Sequence, residues 1–178
     1  IMNTNKRREL SDSKYNERRL ECEKALKIIN NKRKINYLCE LSLEEFEGLK
    51  NLIEDKIILN RATHVVYENE RVKRAYDLLL KGNIDEFGKL LIESHFSLRN
   101  LYEVTGKELD VIVDEALKVP GCIGARMTGA GFGGCAIALV EKNKLDLFKE
   151  EVSNNYNNII GYKPDFYTSE IGEGTYEI

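Results

Sequence analysis

Apolar residues recur at helical spacing through the first 120 positions, and the pattern changes character only after Gly121. In SDSKYNERRLECEKALKIIN (11–30), Tyr15, Cys22, Ala25, Leu26 and Ile29 fall on one stripe, behind the N-cap types Ser11, Asp12 and Ser13. LSLEEFEGLKNLIED (41–55) opens with a Ser42–Glu45 capping box and offers Phe46, Leu49, Leu52 and Ile53 to a core. NRATHVVYENERVKRAYDLLLKG (60–82) is the longest helical pattern. Ala62, Val65, Val66, Val72, Ala75, Tyr76 and Leu79 form its apolar face, and Gly82 closes it. The next helix is predicted at once, with Asn83 as cap and Glu86 three residues on, so the two should pack as an antiparallel pair. A further helix is expected over 105–121, capped by Thr105 with Glu108 and stopped by Pro120-Gly121.

Beyond that point the period is two. Ile123, Ala125 and Met127 alternate with Gly124, Arg126 and Thr128, which predicts a half-buried strand. CAIALVE (135–141) is apolar throughout and reads as a central strand covered on both sides. Leu145, Phe148 and Val152 mark one more amphipathic helix, and PDFYTSEI (164–171) a last strand; the tail 172–178 carries no pattern. IMNT at the start has the look of a strand end whose beginning is missing, so the chain is expected to be a piece of a longer protein. The order strand, helices, strand, turn, strand, helix, strand implies an α+β fold, with an antiparallel, ferredoxin-like sheet and additional helices.

Composition narrows function only a little. The 178 residues suit one domain, and a net charge of −3 argues against a nucleic-acid or membrane partner. No apolar run approaches the ~20 residues of a membrane-spanning helix. Cys22, Cys39, Cys122 and Cys135 form no CxxC pair and only His64 and His95 are available, so a zinc site is not expected. The cysteines read as buried thiols of a cytoplasmic protein. His95 suits a packed histidine better than a catalyst. The basic clusters at 5–8 and 17–19 read as interface or solvated charge.

The distinctive stretch is RMTGAGFGGCAIALV (126–140), with four glycines among its first nine residues. Glycines between strands serve a tight turn by adopting positive φ. Successive bare amides also form an anion site. No Gly-Lys-Ser/Thr follows, so this is not a P-loop, and a strand rather than a helix comes next, which excludes a dinucleotide fingerprint. Both readings, hairpin and phosphate contact, stay open on the residues alone. Tyr15 is similarly either the first core residue of its stripe or a ligand contact, and Arg126 either a site charge or a salt-bridge partner.

GARMTGAGFGGCAIAL (124–139) resembles the third signature motif of the GHMP small-molecule kinases in its galactokinase form. NTNKRRELSDSKYNERRLECEKAL, HVVYENERVKRA, ESHFSLRNLYEVTGKELD and GYKPDFY resemble further segments of that family in the same order, so the resemblance spans nearly the whole chain, 1–178, as a C-terminal lobe. It implies transfer of the ATP γ-phosphoryl to the 1-hydroxyl of α-D-galactose in a two-lobed enzyme, with ATP and Mg2+ as cofactors. It also implies sugar contact by Tyr15, and contact between the nucleotide loop of the other lobe and Thr128, Gly129, Ala130, Gly131, Phe132 and Gly133. The family's Arg-Glu-His-Asp sugar cluster, its Ser-rich ATP motif and its catalytic aspartate have no counterpart here. No catalytic residue is therefore assigned, and the chain alone is expected to be inactive, to bind no cofactor tightly and to self-associate. An N-acetylgalactosamine or arabinose kinase, a sugar-responsive regulator without activity, and a free-standing self-associating module are the alternatives. A bulky residue at 131 is expected to lower kcat more than stability.

Overall fold

A computed structural model describes residues 1–6, 12–170 and 172. Arg7, Arg8, Ser11, Ile171 and the 173–178 tail, all touched by the expectations above, lie outside the described residues. Among the described residues four strands, β1 (Met2–Asn3), β2 (Cys122–Thr128), β3 (Cys135–Val140) and β4 (Asp165–Phe166), form one antiparallel sheet in the order β2-β3-β1-β4. That order, with helices inserted after β1 and before β4, is the ferredoxin-like arrangement the sequence implied. Six helices accompany it among the described residues: α1 (Asp12–Ile29), α2 (Leu43–Leu49), α3 (Lys56–Leu80), α4 (Ile84–Ser97), α5 (Lys107–Lys118) and α6 (Leu145–Ile160).

Local chemistry explains most boundaries. The Ser42 hydroxyl accepts the Glu45 amide and the Glu45 carboxylate accepts the Ser42 amide, so the predicted capping box closes reciprocally. Asn83 caps α4 through the Glu86 amide, and Gly82 ends α3 with φ +67°. Three expectations shift. Helix α3 starts four residues before Asn60, because Asp55 accepts the amides of Ile57 and Ile58. Helix α5 is preceded by Gly106, with no side-chain cap, and Thr105 is buried instead. The last strand is only the pair Asp165–Phe166.

Two hydrophobic cores result. Under the sheet, Leu109, Ile112, Val113 and Ala116 of α5 and Phe148, Val152 and Tyr156 of α6 meet Met2, Ala125, Met127 and Ala136 of the strands. Between the helices, Ala25 and Ile29 of α1 pack with Phe46, Ile53, Ile58, Ala62 and Val66. Strand β3 is central in the sheet, but only Ala136 is fully buried, so the expectation of cover on both sides does not hold. The apolar face of α3 also divides. Its first half is core, whereas Val72, Tyr76 and Leu79 of the 25-residue helix are exposed. Leu52 is exposed as well.

Strand β2 would present a bare edge, and α4 covers it. A Cβ on Gly88 would sit 2.2 Å from the Ile123 carbonyl oxygen, and one on Gly124 would sit 2.3 Å from that of Gly88. The helix and strand backbones are therefore in contact through two glycines. A register shift between Cys122 and Gly124 takes Ile123 out of the alternation and turns its backbone towards α4. Farther along, the Met127 amide donates to His95 Nδ1 at 3.2 Å, so a buried imidazole pairs with the strand edge. All four cysteines are free; Cys39 is exposed and the others are half-buried, which corrects the expectation of buried thiols.

Candidate functional site

The six residues between β2 and β3 form the glycine loop, and its geometry answers the hairpin question in part. Gly129, Gly131, Gly133 and Gly134 all have positive φ, as does Phe132 at +60°, a conformation costly for a side chain. The loop is anchored at its centre: the Phe132 amide donates to the Val104 carbonyl at 2.6 Å. Beneath it, a Cβ on Gly131 would fall 2.1 Å from that same oxygen. At the exit, the Thr4 amide and hydroxyl both donate to the Gly134 carbonyl, and the Thr4 carbonyl accepts the Tyr156 hydroxyl at 2.8 Å. Thr128, Gly129 and Ala130 face solvent, and nothing lies within 4 Å of a Cβ built on Gly129. The loop thus combines a fixed base with a bare, open tip, which is what close approach by another backbone or a phosphate requires. The seat beneath Gly131 changes one expectation: a larger residue there collides with Val104 and costs stability directly.

Tyr15 stands on the first turns of α1 with 57% of its surface exposed, so it is not the start of a core stripe. It borders a cavity of about 370 Å3 shared with Cys22, Leu26, Tyr37, Val65 and Tyr102. Burial raises the pKa of the Cys22 thiol, which keeps it protonated and unreactive. Helix α1 and the loop meet next to Tyr15, where Lys14 Nζ lies 5.6 Å from the centre of the Phe132 ring. Lys6 packs along Gly133 and pairs with Glu108 at 2.9 Å. A larger cavity, about 450 Å3, is lined by Ile1, Val140, Phe148 and Phe166 at the opposite end of β3 and includes none of the candidate residues.

Arg126 resolves as a structural group. Its guanidinium donates to Glu68 at 3.2 Å and to the Met127 carbonyl. Arg18, read from sequence as interface or solvated charge, is buried: it donates to Glu21 and to the carbonyls of Tyr102 and Glu103. Arg19 does keep a solvated pair with Glu23. Arg61, 2% exposed, joins the same group and passed unnoticed in the sequence, where it sits on a helical face like any other arginine. Burial pushes both histidines down to about 4. His64 stacks on Tyr102 and shares a hydrogen bond with Ser97. His95 Nε2 faces Asp110 Oδ1 at 3.6 Å, too far for a hydrogen bond, and neither atom has another partner among the described residues.

Residues 75–158 match the family model described as GHMP kinases C terminal. The chain is 85% identical over its whole length to the galactokinase of Clostridium tetani, covering 45% of that protein, and 54% identical to the galactokinase of Clostridium perfringens, covering 46%. It also superposes on the Lactococcus lactis galactokinase crystallised with galactose, with a TM-score of 0.93, 48% identity, and coverage of 99% of this chain and 46% of that one. The chain therefore spans a little under half the length of these relatives. In sequence and in fold, the chain is similar throughout to the C-terminal lobe of galactokinases, and residues 75–158 carry the GHMP kinase C-terminal domain.

Proposed function

We propose that this chain is the C-terminal lobe of a two-lobed cytoplasmic kinase that transfers the ATP γ-phosphoryl to the 1-hydroxyl of α-D-galactose, the entry reaction of the Leloir pathway. The observation that carries the reading is the pairing of a rigidly seated glycine loop, bare at its tip, with an exposed tyrosine on the adjacent helix. The L. lactis relative with this fold was crystallised with galactose, which supports that sugar. When bound, ATP supplies the phosphoryl group; the residues of this lobe shape the space around it. Tyr15 offers a ring face and a hydroxyl to the sugar. Gly129 and Ala130 let the phosphate-bearing loop of the other lobe come close, and Phe132 closes the space against water. Mg2+ is ordinarily held by one or two carboxylates together with nucleotide phosphates, and in this reading it sits with the phosphate-bearing loop of the other lobe.

The test is a coupled assay of ATP-dependent phosphorylation by the full-length protein, offered galactose, N-acetylgalactosamine and arabinose in parallel. Galactose should be strongly preferred, and the present chain alone should show no turnover. Tyr15→Ala should raise the sugar KM by about tenfold, equivalent to roughly 1.4 kcal/mol of binding, while the melting temperature stays within about 1 °C of wild type. Turnover by the present chain alone, or a preference for another sugar, would overturn the reading.

A further inference from the structure

The loop is only as fixed as its seat, and the seat is unusual. Between α4 and α5 the chain makes a π-helical turn, Leu98–Tyr102, then places Glu103 in the left-handed region at φ 56°, ψ 51°. Non-glycine residues seldom adopt that conformation, and both features concentrate at functional sites. Three consecutive carbonyls leave this turn, and each meets a guanidinium. Arg61 Nη1 donates to Leu101 at 2.5 Å, Arg18 Nε to Tyr102 at 2.7 Å, and Arg18 Nη2 to Glu103 at 3.3 Å. The next carbonyl, Val104, is the one that accepts Phe132 of the glycine loop. Arg61 also binds Glu103 through Nη2 at 2.5 Å and Glu21 through Nε at 2.7 Å, and Glu21 pairs with Arg18. His64 closes the opposite side by stacking on Tyr102.

Buried ion pairs seldom add net stability over apolar packing, because desolvation consumes the Coulomb gain. Two guanidiniums held for three carbonyls therefore serve geometry. We infer that Arg61 is a positioning residue: through Glu103 and the 98–104 turn it fixes the Val104 carbonyl, and so sets the glycine loop against the start of α1, where Tyr15 stands one turn before Arg18. This rests on the reading given under Proposed function. Only a planar, forked cation reaches two carboxylates and a carbonyl at once, so lysine cannot replace it.

The experiment uses the full-length protein with Arg61→Lys and, separately, Glu103→Gln, an isosteric change at a side chain that is 56% exposed. Amide exchange is followed at Phe132 and, as a reference, at Val152 in the sheet core, beside kcat and both KM values. In Arg61→Lys the Phe132 amide should exchange about tenfold faster with Val152 unchanged, and kcat should fall about tenfold with the ATP KM within about twofold. Glu103→Gln should move both in the same direction by a few-fold. Unchanged Phe132 exchange, equal loosening at Val152, or altered exchange with unaltered kcat would each overturn the inference. A wild-type protein that fails to phosphorylate sugar, while Phe132 still responds, sinks the functional reading and leaves the mechanical coupling standing.

Discussion

The two cores of this lobe are built by different routes. The helical core joins α1, α2 and the first half of α3, all within 25–66. The sheet core joins the two ends of the chain, setting Met2 beside Ala136, Phe148 and Val152. Both are apolar. The seam between them is charged and buried, holding Arg18, Glu21, Arg61, His64 and Ser97, with Glu103 at its rim. Apolar pattern is enough to make each half collapse. It does not say how the halves mate, and here directional hydrogen bonds from two guanidiniums do that work. The glycine loop is anchored to this seam, so the place where the halves are fixed is also the place that orients the candidate site.

The comparison breaks most visibly if the halves unfold separately. Phe46 and Phe148 are each almost fully buried, one in each core. Replacing either with alanine should cost about 3–5 kcal/mol. If the seam couples the cores, both variants lose all structure in one urea transition, seen identically by far-ultraviolet and tyrosine signals. Two transitions in Phe148→Ala, with the helical signal surviving the first, would show independent halves.

A smaller effect sharpens the picture at the seam and at the β2 edge. His64 and His95 titrate near 4 in the fold because burial penalises their charged forms, against about 6.5 in an unfolded chain. Between those values the unfolded chain binds more protons. Stability present above pH 6.5 is therefore lost as pH falls through the window towards 4, by about 3 kcal/mol for His95 alone. Asp110, Asp114, Arg99 and Arg126 are its charged surroundings. Denaturant titrations at pH 7, 5.5 and 4.5 should show this slope, and His95→Gln should remove about half of it. An unchanged slope in the variant would mean that His95 is not held neutral.

What the residues disclosed beforehand follows the same division. Helices α1, α2, α4 and α6 and the β2–β3 hairpin were legible, because period, caps and glycines are local signals, and the succession of elements suggested the ferredoxin-like class. The outer half of α3 was misread as core, since Val72, Tyr76 and Leu79 repeat at helical spacing whether or not a neighbour is present. Thr105 carries the cap chemistry but is drawn inward, while Gly106 takes the turn. The loop residues stood out through their glycines, and Tyr15 became a candidate contact only through the family resemblance. Arg18 and Arg61 were invisible as anchors. A guanidinium's role depends on which carbonyls reach it, and those carbonyls come from 84 and 40 residues away.

The finest division runs within the glycine loop itself, between seat and tip. Gly131 and Gly129 have nearly the same φ, +87° and +83°, so an alanine at either meets a similar backbone penalty of about 1 kcal/mol. They differ in surroundings. At 131 the new methyl would lie 2.1 Å from the Val104 carbonyl, so either the Phe132 hydrogen bond breaks or the 98–104 turn shifts, adding about 1–2 kcal/mol. At 129 there is open space. Gly131→Ala should therefore destabilise by about 2–3 kcal/mol and Gly129→Ala by only about 1, both from urea midpoints at constant slope. In the full-length protein the order of specific effects reverses. Under the proposed function the tip is the part that the other lobe approaches, so Gly129→Ala should lower kcat more than its small stability loss explains, when measured well below the melting temperature. Equal stability losses would mean that the Val104 seat yields easily. An unaffected kcat in Gly129→Ala would return the loop to the role of a turn.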